Sequence, residues 1–313
     1  MIRIGVDVGG TGIKVGAVDA EYRIIRENSI PTRTDMPFEE QVGRIADCIV
    51  STVREAGLTE DDIASVGVGI PGIASAKTGE IIKCTNMGWH HVPFRDVFRT
   101  FLDKPVAIDN DANVAALAES VAGISAGTSS SVFITIGTGI GSGIILNGKI
   151  WSGAHHIGAE LGHVIFDLDG VPCTCGNHGC LERYCSATAL IRMAREAASE
   201  HPESMILELA KGDPARIEAK TLFDAARAQD PVAVSVYGRY ISFLAQAVAS
   251  VVNLLDPEII VLGGGVSKAG DFLLEPLVRE YPKYVLFNDQ PLPPVRIAVL
   301  GSEAGIIGAA MLS

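Results

Sequence analysis

The chain has 313 residues, of which 48% are hydrophobic and 20% charged, a composition typical of a folded globular protein that excludes a small disulfide-stapled module, a disordered chain and a coiled coil. The 37 acidic residues outnumber the 25 basic ones, and the formal net charge of −12 predicts a protein that binds neither nucleic acid nor an anionic membrane. Asp7 follows Met1 too closely for a signal-peptide apolar region, so we expect a cytoplasmic protein of two domains.

The first predicted elements are two short strands joined by a glycine-rich turn. Residues 2–8 and 13–18 are rich in β-branched side chains, and Gly9-Gly10-Thr11-Gly12 lies between them. Residues 131–146 repeat the arrangement, with a loop over 137–142 between strands over 131–136 and 143–146. The repetition predicts a duplicated domain.

Polar residues follow one of the next predicted strands. Buried strands are predicted over 66–70 and 106–108, and the second ends in Asp109-Asn110-Asp111 before a helix over 112–122. Polar side chains at the end of a strand are typical of active sites in α/β proteins.

The remaining predicted elements are mostly helices. Thr221 and Asp230 are expected to cap two of them, and the helix nearest the last residue is expected to pack back onto the first domain. A further strand over 258–262 leads into a third glycine group, Gly263-Gly264-Gly265. The predicted helices are 38–56, 187–200, 222–228, 231–255, 272–280 and 304–312.

The three glycine groups have the composition of phosphate-binding loops. Glycine lets successive backbone N–H groups surround phosphate oxygens, although any one such loop could equally be a plain hairpin turn. Three loops together, with hydroxyls at Thr11 and Thr138, favour phosphate binding, and Asp7 is the candidate for holding Mg²⁺ through water. The glycines assigned to this task are Gly9, Gly10, Gly12, Gly137, Gly139, Gly264 and Gly265.

Four of the six cysteines lie within residues 173–185, which in a reducing compartment indicates a metal site. Cys173, Cys175 and Cys180 supply three thiols with the spacing of a zinc site, and either His163 or His178 could be the fourth ligand. Four protein ligands predict a structural zinc ion.

A second group of polar residues has the chemistry of a polyol site. Glu160 and His163 are three residues apart, and Glu182 follows Cys180 by two. If zinc holds His163, these side chains come together, and Asn110 and Asp111 could supply further hydrogen bonds to vicinal hydroxyls.

The sequence resembles the ROK family (repressors, open reading frames and sugar kinases) over essentially its whole length, and its glucokinase branch most. The cysteine segment is the most specific motif, and the first motif adds Lys14 to the expected nucleotide contacts. The motifs that carry the resemblance are Asp7-Val-Gly-Gly-Thr-Gly-Ile-Lys14, Asp109-Asn-Asp-Ala-Asn113, Ile136-Gly-Thr-Gly-Ile-Gly-Ser-Gly143, Glu160-Leu-Gly-His163, Cys173-Thr-Cys-Gly-Asn-His-Gly-Cys-Leu-Glu182 and Leu262-Gly-Gly-Gly265.

The resemblance implies an α/β fold of the duplicated actin-like ATPase type, hexokinase- or ribonuclease H-like. It would have a small domain over 1–115, a large domain over 116–302 that carries the zinc segment, and residues 303–313 packed on the small domain. ATP would bind in the cleft between the domains, which would close when sugar binds. A homodimer or homotetramer is expected.

The resemblance also implies roles for single residues. Asp111 would be the catalytic base that activates the 6-hydroxyl of a hexose, and glucose is preferred over N-acetylmannosamine, fructose and allose. A repressor or an actin-like assembly protein is less favoured, because the chain opens directly into a strand and carries the zinc segment. The sugar ligands would be Asn110, Asp111, Glu160, His163 and Glu182, and the zinc ligands His163, Cys173, Cys175 and Cys180.

Overall fold

The computed structural model describes residues 1–312, which form thirteen strands and ten helices. The strands are β1 (Ile2–Val8), β2 (Gly12–Val18), β3 (Ile24–Pro31), β4 (Ile63–Ile70), β5 (Ile73–Ser75), β6 (Glu80–Cys84), β7 (Trp89–Val92), β8 (Val106–Asn110), β9 (Ser130–Ile136), β10 (Ile140–Leu146), β11 (Lys149–Ile150), β12 (Ile259–Gly263) and β13 (Val295–Ile297). The helices are α1 (Phe38–Glu55), α2 (Phe94–Phe101), α3 (Asp111–Ala122), α4 (Glu182–Cys185), α5 (Ala187–Glu200), α6 (Met205–Leu209), α7 (Ala219–Arg227), α8 (Pro231–Leu255), α9 (Asp271–Glu280) and α10 (Ala304–Ala310).

The described chain divides into two compact units. Unit 1 comprises Met1–Phe133, Gly143–Ala159 and residues 299–312, and unit 2 comprises Ile134–Ser142 and Glu160–Ala298. The domain boundary predicted at residue 115 falls inside α3, all of which belongs to unit 1. The division into domains 1–115 and 116–302 stays a prediction, and residue 313 of the segment expected to pack on the small domain lies outside the described residues.

Unit 1 is built on a five-stranded sheet in the order β3-β2-β1-β4-β8. β1, β2 and β3 form an antiparallel meander, whereas β4 and β8 run parallel to β1. Helix α1 packs against this sheet with Ile45 and Ile49 fully buried, so the spacing that predicted the helix also marks the face it buries. The end of β8 brings Asp109 and Asn110 to the edge of the sheet.

Helix α10 lies directly on β1 and β4 because glycines remove the side chains between them. A Cβ placed on Gly67 would lie 1.7 Å from the carbonyl oxygen of Ala309, and one on Gly5 would lie 1.9 Å from that of Ile306. The helix ends at Ala310, two residues before the predicted end, and also contacts α3.

The second five-stranded sheet has the order β11-β10-β9-β12-β13. When the strands of each sheet are numbered 1 to 5 in chain order, both sheets have the same spatial order, 3-2-1-4-5. This repeat confirms the predicted duplication. The second glycine loop is shorter than predicted: β10 begins at Ile140, so Gly141 and Ser142 belong to the strand and only Gly137–Gly139 turn.

Two helix starts test the capping predictions. Asp230 caps α8 as predicted, since its Oδ1 accepts a hydrogen bond of 2.8 Å from the Ala233 N–H. The prediction that Thr221 caps the preceding helix is wrong. Helix α7 begins three residues earlier with Glu218 as its cap, and the Thr221 hydroxyl accepts a bond of 3.1 Å from the Glu218 N–H within the first turn.

Helix α8, 25 residues long, is the one helix in residues 1–312 that is long and apolar enough to cross a membrane. Half of its most apolar window is buried inside the protein, with Leu244 and Val248 almost fully enclosed. Core helices of globular proteins meet the same length and composition test.

Candidate active site

The first glycine loop is a tight turn held from outside. The Gly9 N–H donates to the Gly12 carbonyl oxygen at 2.9 Å and closes the turn. The Thr32 hydroxyl donates to the Gly9 carbonyl at 2.7 Å, and the Thr32 N–H donates to the Thr11 carbonyl at 3.2 Å. Gly10 and Thr11 are exposed, so the tip is open to a ligand. Sequence reasoning missed Thr32, because only folding brings β3 beside the loop.

Asp7 lies at the end of β1, beside this loop and largely enclosed. Glycine at position 305 makes room for it: a Cβ there would lie 2.6 Å from Asp7 Oδ2. Burial raises the pKa of the Asp7 carboxyl, while the positive charge of Lys14, its partner in register on β2, lowers it. A partly buried carboxylate oxygen is the kind of ligand that Mg²⁺ takes, directly or through water, so the donor chemistry fits the predicted ion.

Asn110 holds the start of helix α3. Its side-chain oxygen accepts from the N–H groups of Ala112 at 2.8 Å and Asn113 at 3.3 Å, and its amide Nδ2 donates to the Gly72 carbonyl at 3.1 Å. The next residue, Asp111, is exposed in the first turn of the helix, where a carboxylate interacts favourably with the helix dipole. Asn110 therefore fixes the backbone from which Asp111 projects.

Asp109 is a further residue of this strand end that sequence reasoning did not select. Its Oδ1 accepts from the Asn110 N–H at 2.7 Å and from Asn113 Nδ2 at 2.8 Å. Burial raises the pKa of the Asp109 carboxyl, and these two hydrogen bonds and the charge of His156 lower it. Its carboxylate ties the strand end to the helix. The spacing of Asp109 and Asn113, four residues apart at the end of a strand, could have predicted this contact.

The second glycine loop, in unit 2, is braced by the start of α5. The Gly137 N–H donates to the Gly139 carbonyl at 3.0 Å. The Ala187 N–H donates to the Gly137 carbonyl at 2.9 Å, and the Thr188 hydroxyl donates to the Thr138 carbonyl at 2.7 Å. Thr138 is exposed, as Thr11 is in the first loop.

The third glycine group packs against the strand that leads into the second loop. Gly264 has φ +84°, and a Cβ on it would lie 2.5 Å from the Ile136 carbonyl oxygen. Gly265 follows and has open space beside it. The positive φ and the close backbone approach both require glycine at position 264.

Glu160 and His163 lie at the two ends of one turn. The segment forms a 3₁₀ turn over Leu161–His163, in which the His163 N–H donates to the Glu160 carbonyl at 3.0 Å. Residues three apart lie on one side of such a turn. Glu160 remains exposed, yet the surrounding protein desolvates it enough to raise its pKa, an effect that His163 opposes and Glu182 reinforces.

Glu182 lies between the second glycine loop and the cysteine segment. One carboxylate oxygen accepts from the Ile140 N–H at 3.4 Å, and the other accepts from the Cys173 thiol at 3.3 Å. A Cβ on Gly139 would lie 2.6 Å from the first of these oxygens. The absence of a side chain at position 139 therefore leaves room for Glu182.

The cysteine segment folds so that four potential metal ligands meet. The ligand atoms of His163, Cys173, Cys175 and Cys180 all lie within 4.8 Å of one another. The Cys175 and Cys180 sulfurs are 3.5 Å apart, and His163 Nδ1 is 3.8 Å from the Cys173 sulfur. Tetrahedral zinc with bonds of about 2.3 Å requires sulfurs about 3.8 Å apart, so the set fits zinc. His178 is exposed and not part of it.

The model of the ROK family matches residues 3–313 of the sequence. The chain belongs to the ROK family. The glucokinase of Halalkalibacterium halodurans is 39% identical over 310 residues, which cover 99% of this chain and 94% of that protein.

Two solved ROK structures share the fold over the full chain. The first is a Streptomyces griseus ROK glucokinase in complex with glucose and AMPPNP, at 35% identity and a TM-score of 0.82, covering 100% of this chain and 99% of that one. The second is a Thermus thermophilus ROK hexokinase, at 33% identity and a TM-score of 0.85, covering 100% and 98%. This likeness confirms the predicted actin-like ATPase fold.

Proposed function

We propose that this ROK protein is an ATP-dependent hexose kinase that phosphorylates the 6-hydroxyl of glucose. The observation that carries the proposal is the likeness of nearly the whole chain to a glucokinase. The complex of a similar protein with glucose and AMPPNP supports both substrates.

Nucleotide binding is assigned to the glycine loops. In unit 1 the loop formed by Gly9, Gly10, Thr11 and Gly12 would bind phosphate oxygens through the N–H groups at its open tip, Gly10 and Thr11, with Lys14 beside them and Asp7 holding Mg²⁺ through water. The ion supplies positive charge that offsets the charge on the phosphates. In unit 2 the nucleotide contacts would be Gly137, Thr138, Gly139, Gly264 and Gly265.

Asp111 would act as the general base. It accepts the proton of the sugar hydroxyl as that oxygen bonds to the γ-phosphorus and the bond from phosphorus to the departing ADP breaks. The transition state of such a transfer is loose, so positioning and charge neutralisation contribute most of the rate and the base a smaller part. The exposed position of Asp111 at a fixed helix start suits this task.

Four other side chains would bind the sugar hydroxyls: Asn110, Glu160, His163 and Glu182. The oxygen of Asn110 is used in capping α3, and one amide hydrogen is used on Gly72, so Asn110 has its second amide hydrogen for the sugar. The two glutamates accept hydrogen bonds from hydroxyls, and neighbouring hydroxyls can share one carboxylate.

Zinc would be held by His163, Cys173, Cys175 and Cys180 in a structural role. Four protein ligands leave no open coordination position, so the ion would stabilise the local fold and supply no Lewis acid to the sugar. It would also fix His163 together with the peptide that carries Glu182, two residues beyond Cys180.

The remaining assignments concern the setting of the enzyme. We propose a cytoplasmic homodimer or homotetramer that acts on small molecules and binds neither nucleic acid nor membrane. The net charge of −12 disfavours binding to nucleic acid and to anionic membranes. The partial burial of α8 inside the protein disfavours the insertion of this helix into a membrane.

The test is an assay that couples ADP release to a detectable reaction, with Mg²⁺ and millimolar glucose, fructose, allose or N-acetylmannosamine. Glucose is expected to give the highest kcat/KM. A higher value for another sugar would reassign the substrate, and no stimulation by any hexose or N-acylhexosamine would refute the kinase function.

A further inference from the structure

One polar side chain in unit 1 lies beside the first glycine loop and has no role so far. Asn86 is the middle residue of a 3₁₀ turn, Thr85–Met87, that follows β6. It is exposed, and its amide Nδ2 lies 3.8 Å from the position that a Cβ would take on Gly10. Gly10 is at the open tip of the loop assigned to phosphate binding.

The core of unit 1 fixes the position of this turn. Cys84 before it and Met87 and Trp89 at its far side are buried in the main hydrophobic cluster. Gly88, at φ +67°, closes the turn by donating from its N–H to the Thr85 carbonyl at 3.2 Å. Buried residues on both sides therefore hold Asn86 in place.

The Asn86 side chain itself takes no part in holding the turn. Among residues 1–312, no hydrogen-bond partner of its amide group is found, so both amide hydrogens and the oxygen are available to a ligand. An asparagine that neither caps nor bridges, on a rigid turn beside a glycine tip, is suited to ligand binding.

The same turn lies within electrostatic range of the proposed base. Burial is the main reason that the pKa of the Cys84 thiol is raised, and the negative charge of Asp111 adds to this effect. The residue that precedes the turn therefore lies near Asp111, while Asn86 lies near Gly10. The turn thus lies beside the proposed phosphate loop and within range of the charge of the proposed base.

We propose that the Asn86 amide donates a hydrogen bond to the phosphoryl group as it passes from ATP to the sugar oxygen. The inference rests on the proposed kinase function. In the loose transition state, negative charge is spread over the three equatorial oxygens of that group, and a neutral donor held in position stabilises it. The proton of the hydroxyl still goes to Asp111, ADP leaves, and Asn86 is chemically unchanged.

The experiment compares Asn86→Ala and Asn86→Asp with the unaltered enzyme and with Asn288→Ala, a control at an exposed asparagine of unit 2. Asn86→Ala is expected to lower kcat by about 10²-fold, the typical cost of losing one donor to a transition state. The carboxylate of Asn86→Asp repels the phosphoryl oxygens, so its kcat should be lower still. KM for glucose should remain unchanged in both variants.

A binding measurement separates this role from a structural one. Calorimetric titration with Mg-AMPPNP and Mg-ADP should show weaker binding of the triphosphate analogue to Asn86→Ala, with ADP affinity and Tm unchanged. The inference would be overturned if Asn86→Ala changed neither kcat nor the ratio of AMPPNP to ADP affinity. It would also be overturned if only KM for glucose rose, because Asn86 would then be a sugar ligand. If the unaltered enzyme phosphorylates no sugar, the proposed function fails, and the affinity ratio still decides the role of Asn86.

Discussion

Three consecutive polar residues at the end of β8 have different partners and therefore different tasks. Asp109 binds backbone and side-chain N–H groups, Asn110 caps α3, and Asp111 projects from the capped helix. The polar residues after a buried strand predicted a site here, and the family resemblance singled out Asp111 as its base. The sequence could not show that the Asn110 amide also donates to the Gly72 carbonyl, since Gly72 comes beside Asn110 only in the folded sheet.

Asp111→Asn keeps the shape of the side chain but removes the proton acceptor. We expect kcat to fall by about 10²- to 10⁴-fold with ATP affinity little changed. Steady-state kinetics and AMPPNP titration measure both quantities, and Asp103→Asn, at an exposed aspartate of the same unit, is the control. Retention of more than about a third of the activity would remove Asp111 from the role of base.

Asp109→Asn is expected to change the pH dependence of stability. The fold raises the pKa of Asp109, so its carboxyl favours folding while protonated and loses that contribution as pH rises through the folded-state pKa. Asparagine accepts the same two hydrogen bonds without charge. The variant should therefore have a higher Tm than the unaltered protein at pH 8, and the difference should shrink as the pH falls to 4. Thermal melts over this range, with Asp103→Asn as control, measure it. A constant difference would contradict the prediction.

At the scale of elements, the long periodic helices and the strands beside the glycine loops were predicted well, whereas β3, α2 and the small sheet were not. Helix α1 and helix α8 start at the predicted residues, because apolar spacing defines α1 and the Asp230 cap defines the start of α8 within the local sequence. The start of α7 was misplaced because threonine serves equally at a cap or at the third helical position. The strands β5, β6 and β7 were missed because each has at most five residues, too few to show a clear alternation of apolar and polar side chains. They pair only with one another, in a sheet separate from the two large ones.

Gly67→Ala tests the direct contact of α10 with the sheet. The new methyl group would lie 1.7 Å from the Ala309 carbonyl oxygen, so the helix must move away from β4. We expect a loss of about 3 kcal/mol in the free energy of unfolding, at the upper end of overpacking effects. Urea unfolding measures this loss, and Gly238→Ala, at a helical glycine with open space around it, is the control. Equal stability of the two variants would mean that α10 does not rest on β4.

Cys175→Ser tests the zinc set. Serine is a poor zinc ligand, so elemental analysis should find less than one zinc per chain, and Tm should fall because binding energy at a closed site contributes to folding. Cys48→Ser, at a buried cysteine outside the set, should keep its zinc. Absence of zinc from the unaltered protein, purified without chelator, would refute the site.

At the scale of the whole molecule, the buried carboxylate of Glu119 binds the backbone at Val299, where the chain returns from unit 2 to unit 1. Glu119 is fully buried, and one oxygen accepts from the N–H groups of Val299 and Leu300, each at 3.0 Å. The other accepts from the Ile124 N–H at 2.9 Å. This role could not be predicted from the sequence, because Val299 and Leu300 are about 180 residues away along the chain.

Glu119→Gln places an NH₂ group against backbone donors. We expect a loss of about 2–3 kcal/mol in the free energy of unfolding, because a buried N–H loses its acceptor and two charge-assisted bonds weaken. Chemical denaturation provides the measurement, and Glu200→Gln, at an exposed helix position, should be neutral. If Glu119→Gln is as stable as the control, the three N–H groups have other acceptors.

The packing of α10 on β1 and β4 also determines when unit 1 can be completed during synthesis. Val299 is synthesised roughly 170 residues after Phe133. At 5–20 residues per second, this separation is a delay of roughly 10–30 s. Throughout this interval the nascent sheet has one face, lined by Gly5 and Gly67, without the helix that covers it. Unit 1 is therefore started before unit 2 is synthesised and finished only after it, so the newborn chain passes through a stage that chaperones are suited to protect.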